Sequence, residues 1–125
     1  MKMYLKMNKS GNRYAIKPTA DEDVYEFVDT PEKRDRMLYE NARYYLDMGW
    51  DEAEKAYCTE HWTPEFEAHI KKAILHLEAA DNFYRVLYIM LRDEQGEDVA
   101  VERLLDEICR VKKLLHYATK LASDY

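Results

Sequence analysis

Two runs of apolar residues, each spaced alternately four and three positions apart, constrain the fold of this chain more than any other feature. The first lies in a segment that begins at Thr63–Pro64 and can continue to about Glu94, and the second lies between about Asp98 and Ala122. Such spacing places apolar side chains on one face of an α-helix. Because only a short polar stretch separates the runs, they predict two long helices that pack antiparallel. The runs consist of Phe66, Ile70, Ala73, Leu77, Ala80, Tyr84, Leu87 and Leu91, and of Val101, Leu104, Ile108, Val111, Leu115, Ala118 and Ala122.

Two further helices are predicted upstream of this pair. Thr30–Pro31 is typical of a helix start, because threonine caps the first turn and proline is favoured at the first helical position. With Gly49 as a stop signal, the pattern predicts one helix over 31–48. An aspartate followed three positions later by a glutamate resembles a capping box, and it predicts a short helix over 51–60.

The N-terminal segment predicts β-structure instead. Polar and apolar residues alternate along Lys2–Asn8 and again along Arg13–Lys17, and a polar stretch containing a glycine separates the two. A period of two is typical of strands, so this unit predicts a β-hairpin. Val24–Val28 has the β-branched and aromatic content of a third strand, which we favour, although the acidic residues before it also suit a short helix.

Together these elements predict a mostly α (α+β) fold. In this fold a β-hairpin region over 1–28 packs on a bundle of three to four helices over 31–125, within one domain of 125 residues. A chain of this length, with 47% hydrophobic residues, is able to bury one core without disulfides or a metal. It has neither an apolar run near the ~20 residues of a membrane helix nor a signal-peptide block. Two widely spaced cysteines suit reduced thiols, so we expect a cytoplasmic protein.

Charge is distributed unevenly along the chain, which has a net charge of −6. Residues 1–20 carry five basic and no acidic side chains, whereas residues 21–70 carry fifteen acidic and five basic ones. An acidic surface disfavours binding to nucleic acid, because phosphates need cations to displace their counterions. It attracts a basic protein surface instead. We therefore expect a basic protein partner and no direct contact with nucleic acid or membrane.

One stretch contains several side chains of the types that bind metals: Cys58, His61, His69 and His76. Zinc takes four ligands in a tetrahedron, usually as two close pairs. Histidines seven positions apart lie about 10 Å apart along a helix, so these two cannot both bind one ion. Cys58 and His61 are therefore weak metal candidates, and a metal-dependent enzyme built on them is the least favoured hypothesis. Half-exposed histidines beside a core are the simpler interpretation.

No other catalytic arrangement is visible in the sequence. The two serines, Ser10 and Ser123, do not lie in a nucleophile-elbow motif. The hairpin turn and two helix ends account for all three glycines, which leaves none for a phosphate-binding loop. We therefore expect no enzymatic activity, no catalytic residues and no cofactor.

The acidic middle of the chain is also rich in tyrosine and tryptophan. These side chains are enriched at protein interfaces, where a rigid ring fills a pocket while its polar tip stays hydrated. Alternatively, the rings thicken the core of a small domain. Acidic residues around them would suit a basic recess on a partner. The predicted partner-binding residues are Tyr39, Glu40, Tyr44, Asp47, Trp50, Asp51, Glu52 and Glu54.

These observations favour a non-enzymatic protein–protein interaction module that inhibits or regulates a basic, nucleic-acid-handling partner. In charge, size and lack of a catalytic set, the chain is similar to phage- and plasmid-encoded inhibitors of host defence such as anti-CRISPR proteins, in which carboxylates often stand in for phosphates. The alternative is an oligomeric helical scaffold or a small-ligand-binding protein. That hypothesis depends on Phe83–Leu91, where every residue but Arg85 is apolar or aromatic, so a second copy would be needed to cover it.

Overall fold

The computed structural model describes residues 4–7, 14–17 and 30–123 of the chain. Its elements in chain order are strands β1 (Tyr4–Met7) and β2 (Tyr14–Lys17), followed by helices α1 (Pro31–Cys58), α2 (Pro64–Gln95) and α3 (Glu97–Ser123). The strands pair antiparallel, with Tyr4 opposite Lys17 and Met7 opposite Tyr14. Among the helices described, none is both long enough and apolar enough to cross a membrane.

The predicted α+β fold class was wrong. Residues 30–123 are 93% helical and contain no strand, so this part of the chain is a bundle of three helices. The physical reason is that long amphipathic helices supply every buried core residue among residues 30–123. A ladder of two four-residue strands offers little burial of its own. The third strand predicted at Val24–Val28 lies outside the described residues.

The prediction of separate helices over 31–48 and 51–60 was also wrong, because α1 continues without a break through Gly49. This glycine is buried against α2, where an added Cβ atom would lie 2.7 Å from Cγ of Leu77. Close approach of the two helices therefore explains the glycine, and it outweighs the cost of about 1 kcal/mol that glycine brings to a helix interior.

The helix ends follow the capping signals of the sequence. The hydroxyl of Thr30 accepts a hydrogen bond from the backbone N–H of Lys33, and that of Thr63 accepts one from Phe66, each at 3.2 Å. Gly96 ends α2 with a φ of 98°, a left-handed conformation that favours glycine. The predicted starts of α1 and α2 and the predicted stop at Gly96 are confirmed.

Helix α2 lies at the centre of the bundle and packs against both α1 and α3, whereas α1 and α3 barely touch each other. Its predicted apolar run is confirmed, since all eight members are buried; they are Phe66, Ile70, Ala73, Leu77, Ala80, Tyr84, Leu87 and Leu91. Leu38, Ala42 and Leu46 of α1 and Leu104, Val111 and Ala118 of α3 complete much of the core. α2 and α3 form the antiparallel pair that the two runs predict, so α1 and α3 run in the same direction.

An ion pair between a buried arginine and a partly exposed glutamate joins the start of α1 to the end of α2. Arg34 is only 5% exposed, and its guanidinium donates two hydrogen bonds to the carboxylate of Glu94, one of them at 2.7 Å from Nη2 to Oε2. A second carboxylate, that of Asp35, accepts from Arg34 at 2.8 Å. Planar two-pronged pairing of this kind holds a guanidinium in one geometry. This pair therefore fixes the N-terminal end of α1 against the C-terminal end of α2.

Candidate functional site

A groove runs along the surface between α1 and α3, where these two helices barely touch. Its α1 wall contains Arg36, Tyr39, Arg43, Leu46, Trp50, Ala53 and Tyr57, which are spaced alternately three and four positions apart. Its α3 wall contains Arg103, Arg110, Lys113, Leu114 and Tyr117. We call this feature the α1–α3 groove. It extends along most of α1, over about 30 Å at 1.5 Å per helical residue.

We call the end of the bundle that contains the C-terminus of α1 its lower end. Two adjoining hollows lie in the middle and lower parts of the α1–α3 groove, and they share Trp50 and Leu114. The middle hollow is lined by Arg43, Leu46, Asp47, Trp50, Arg110, Lys113 and Leu114. The lower hollow is lined by Trp50, Ala53, Glu54, Tyr57, Cys58, Leu114 and Tyr117. The middle hollow therefore combines apolar side chains with cations, while the lower hollow is almost entirely apolar.

Three large aromatic side chains stay exposed in the lower hollow. Trp50 is 51% exposed, Tyr57 74% and Tyr117 53%. The indole Nε1 of Trp50 donates a hydrogen bond of 2.9 Å to Glu54, one helical turn further on. This bond holds the ring along α1. Exposed aromatic rings are costly to hydrate, so their grouping in one groove marks a surface that gains free energy when it is covered.

A tyrosine in the core connects the two walls of the groove near its upper end. Tyr84 of α2 is fully buried, and its hydroxyl donates a hydrogen bond of 3.2 Å to Glu107 of α3. On the other wall, the edge of the Tyr39 ring faces Tyr84, with 6.1 Å between ring centroids. Burial, reinforced by the negative charge of Glu107, raises the pKa of Tyr84 well above its ordinary value. The phenol therefore stays protonated and remains a donor.

Arg43 continues this network along α1. Its interaction with the nearby hydroxyl of Tyr39 is the main reason that the pKa of Arg43 is raised above its ordinary value. The guanidinium is thus always charged where it borders the middle hollow.

The structure divides the predicted partner-binding residues into three groups. Tyr39, Asp47, Trp50 and Glu54 line the α1–α3 groove. Glu40, Tyr44 and Asp51 are exposed on α1 but do not line the groove. Glu52 faces α2, where its carboxylate lies 2.7 Å from Nδ1 of His69. The structure therefore brings four of the eight residues together in one surface feature.

The two tyrosines in this set illustrate the division. Tyr39 lies in the groove beside Tyr84, whereas Tyr44 is 60% exposed and packs edge-on against Tyr45. Their placement on different sides of α1 agrees with the helical period, because five residues turn the helix by about 140° from its starting direction.

Glu52 forms a structural contact. Burial raises the pKa of its carboxyl, but the hydrogen bond with His69 and the positive charges of Lys55, His69 and Lys72 outweigh burial, so the pKa is lowered overall. The pair links the lower half of α1 to the start of α2.

The weak metal candidates are placed at the lower end of the bundle. Cys58 is exposed beside the lower hollow, and the ring of His61 lies against Phe66 with 4.7 Å between centroids. The other two histidines of that stretch are engaged elsewhere, His69 by Glu52 and His76 by the ring of Tyr45. Within the described part of the chain, no three His, Cys, Asp or Glu residues come close enough to hold a metal ion.

The segment Phe83–Leu91, predicted to pack between copies of the protein, is largely covered within one chain. Phe83, Tyr84, Leu87 and Leu91 are buried, and Ile89 is 46% exposed. Self-association through this segment stays a prediction, and the surface it would use is centred on Ile89.

Sequence reasoning missed the α3 wall, namely Arg103, Arg110, Lys113, Leu114 and Tyr117. A signal for the groove exists on α1, where a second three-and-four alternation runs from Arg36 to Tyr57 beside the buried one. This alternation was overlooked because it contains arginine and tyrosine as well as apolar residues, and such a mixture is not recognised as an apolar run. The α3 wall becomes visible only once the two helices are placed side by side.

In comparisons with known proteins, no family model, no curated protein and no solved structure matched the chain significantly.

Proposed function

We propose that this chain is a non-enzymatic protein-binding module that acts through the α1–α3 groove. The observation that supports the proposal best is the grouping of Trp50, Tyr57 and Tyr117, all at least half exposed, along one groove between two helices. A protein side chain or helix that entered the groove would cover these rings and displace their hydration water. Tryptophan and tyrosine are among the residues that contribute most to protein–protein binding energy.

The surroundings of the groove have the arrangement of a protein interface. An apolar centre at Trp50 and Leu114 is bordered by charged residues on both walls, including Asp47 and Glu54 on α1 and Arg110 and Lys113 on α3. Protein interfaces combine a desolvated apolar centre with a polar rim in this way. The apolar centre supplies binding energy, and the rim supplies specificity and orientation.

The exposed acidic residues on α1 support a partner that is basic where it faces this helix. Glu40, Asp47, Asp51 and Glu54 are all exposed, although Lys55 lies 3.2 Å from Asp51 and neutralises part of that charge. The role that we propose is regulation by blocking, in the manner of anti-CRISPR-like inhibitors. The carboxylates of α1 would cover lysine and arginine side chains with which the partner handles nucleic acid.

The test of this proposal compares two sets of alanine variants at exposed apolar or aromatic positions. Trp50→Ala, Tyr57→Ala and Tyr117→Ala together remove the groove aromatics. Leu75→Ala and Leu105→Ala, which are 51% and 47% exposed in the parent and do not line the groove, form the matched control. Each tagged protein is used to capture partners from host extract, with bound proteins quantified by mass spectrometry and folding checked by circular dichroism.

We expect a stoichiometric partner that the control set retains and for which the groove set loses affinity by at least about a hundredfold, because each interface aromatic contributes on the order of 1–2 kcal/mol. Retention of every partner by a folded groove variant would contradict the proposal. The acidic contribution is tested separately with Glu40→Lys, Asp47→Lys and Asp51→Lys. Glu52 is left intact because its carboxylate holds His69.

A further inference from the structure

We propose that the occupant of the α1–α3 groove is an amphipathic helix of the partner protein, with carboxylates on the flank that faces Arg110 and Lys113 of α3. This inference rests on the proposed function and adds to it the shape and the charge of the partner segment. It also restricts the basic surface of the partner to the side that faces α1.

The shape of the groove suits a helix. Both walls are helices that run in the same direction, and their groove-facing residues repeat with a period of seven: Arg36, Arg43, Trp50 and Tyr57 on α1, and Arg103, Arg110 and Tyr117 on α3. Walls with a seven-residue period present regularly spaced holes, which accept the side chains of another helix with the same repeat. Amphipathic helices bind such grooves with apolar side chains at positions i, i+3 or i+4, and i+7.

The lower hollow provides the apolar contact. Trp50, Ala53 and Tyr57 lie on one side of it and Leu114 and Tyr117 on the other. Positions 50 and 57 are two helical turns apart, about 10 Å, which is the distance between apolar anchors at i and i+7 of a bound helix. Glu54, which bonds to the indole of Trp50, is the sole charged residue among those that line this hollow.

The middle hollow provides the charge that selects the helix. Arg43, Arg110 and Lys113 border it, against one carboxylate, Asp47. Arg43 interacts with Tyr39, whereas Arg110 and Lys113 form no ion pair with any described residue. Cations beside an apolar centre favour a carboxylate on the incoming segment, since an ion pair forms without disturbing existing pairs. A basic flank at this position would be repelled.

The two walls therefore differ in charge. Along the middle and lower hollows, the α1 wall carries Asp47 and Glu54 against one cation, Arg43, and the exposed Glu40 and Asp51 lie next to it. The α3 wall carries Arg110 and Lys113 there and no acidic residue. A helix that lies between them is oriented by both walls if its acidic flank faces α3 and its basic flank faces α1. Such asymmetry specifies one lateral orientation of the bound helix.

The experiment uses two synthetic helical peptides of 24 residues with the same leucine face. One peptide carries glutamate along one flank, and the other carries lysine at the same positions. The full chain with Trp62→Phe leaves Trp50 as the single tryptophan, so its fluorescence reports occupation of the groove. Titrations are repeated with Arg110→Glu and Lys113→Glu together, and with Arg110→Gln and Lys113→Gln in case charge reversal impairs folding.

We expect the glutamate peptide to bind at least about tenfold more tightly than the lysine peptide at low salt. Charge reversal on α3 should invert this preference, and the glutamine variant should abolish it. Equal affinity for both peptides, or a preference that survives charge reversal, would overturn the inference. So would a concentration-dependent shift of Trp50 fluorescence without peptide, which would identify a second copy of the chain as the occupant, or displacement of the peptide by a short oligonucleotide.

Failure of this inference is distinguishable from failure of the proposed function. If neither peptide binds while the groove aromatics are still needed to capture the host partner, the helical occupant is wrong and the protein-binding function stands. If the alanine variants of the groove keep the host partner, both are wrong.

Discussion

Gly49 lies in the middle of α1 with its Cα against Leu77, at a distance that leaves no room for a methyl group. Helix interiors usually disfavour glycine, so this residue reflects helix–helix distance rather than helix termination. At the same scale, the buried Arg34 pairs with Glu94, and the half-buried Glu52 and His69 form a second pair between α1 and α2. Individual side chains thus set how closely and in what register α1 lies on α2.

Gly49→Ala tests the close approach. Replacing glycine by alanine inside a helix normally stabilises it by about 1 kcal/mol. Here we expect the opposite sign, a loss of about 1–3 kcal/mol, because the new Cβ would overlap Leu77. Urea unfolding monitored by circular dichroism measures the change. The double variant with Leu77→Ala is the control, since it should lose less than the two single variants combined; an additive loss would exclude the contact as the cause.

Glu94→Gln tests the pair of Arg34 with Glu94 through the dependence of stability on pH. The hydrogen bond from Arg34 lowers the pKa of Glu94, so the folded state binds this proton more weakly than the unfolded chain does. The stabilisation is therefore complete above the unfolded-state pKa of about 4.3 and is lost as the pH falls through the lower folded-state pKa. We expect Glu94→Gln to cost about 1 kcal/mol at neutral pH, after allowance for partial exposure of the carboxylate.

The same variant should also show a weaker loss of stability between neutral and acidic pH than the parent. Thermal unfolding at several pH values measures both effects. Asp93→Asn, at the adjacent and more exposed position, is the control and should leave the pH dependence almost unchanged. Identical pH profiles for Glu94→Gln and the parent would contradict the assignment.

At the scale of elements, each helix combines one buried stripe with separate start and stop signals. The buried stripe of α2 has the predicted four-and-three spacing throughout, and the ends of α2 coincide with Thr63 and Gly96. α1 shows why the internal boundary was mispredicted. A glycine followed by an aspartate and a glutamate has the composition of a helix end and a new start, yet packing against α2 keeps the backbone helical.

Thr63→Ala tests the cap of the central helix. Loss of the hydroxyl leaves the N–H of Phe66 without its acceptor, and we expect a loss of about 1 kcal/mol in unfolding free energy. Thermal unfolding of Thr63→Ser, which retains an acceptor oxygen, provides the comparison and should stay close to the parent. Equal destabilisation by serine and alanine would show that the methyl group, rather than the cap, matters.

At the scale of the whole molecule, the unequal packing of the three helices creates the groove. α2 is packed on two sides, while α1 and α3 leave the α1–α3 groove between them, and this groove contains exposed aromatic rings. A small bundle that closed such a groove would bury more apolar area and gain stability. Its retention here is consistent with binding of a partner, since functional surfaces often sacrifice stability.

Single alanine variants of the groove aromatics test this separation of stability from binding. Trp50→Ala, Tyr57→Ala and Tyr117→Ala should each lower the unfolding free energy by about 1.5 kcal/mol or less, because half or more of each residue is exposed. Tyr84→Ala, in the core, should cost about 3–5 kcal/mol by comparison. Chemical denaturation of all four variants measures the contrast. A large loss of stability in the groove variants would show that these rings serve the fold.

Sequence by itself determined the helical elements that depend on local periodicity and capping. The buried stripe of α2 and the ends marked by Thr30, Thr63 and Gly96 follow from side-chain spacing and backbone preference, which act over a few residues. The run predicted on α3 was right only in part, because Leu104, Val111 and Ala118 are buried whereas Ala122 is exposed. The sequence also indicated Tyr39, Tyr44 and Trp50 as aromatic candidates for binding, but not Tyr57 or Tyr117. It did not determine which of them share a surface.

Only the tertiary structure shows that α1 continues through Gly49. It also shows that Tyr39 and Trp50 line the groove while Tyr44 lies outside it, and that cations of α3 lie opposite the acidic residues of α1. Each of these depends on the placement of one helix beside another, and residues such as Asp47 and Arg110 are far apart along the chain. The α1 wall of the groove mixes arginine, tyrosine and tryptophan, so it shows no strong apolar period in the sequence. That these residues face one groove becomes evident only when α3 is placed beside α1. The physical reason is that capping and side-chain periodicity act within one helix, whereas a groove forms only where two helices lie side by side.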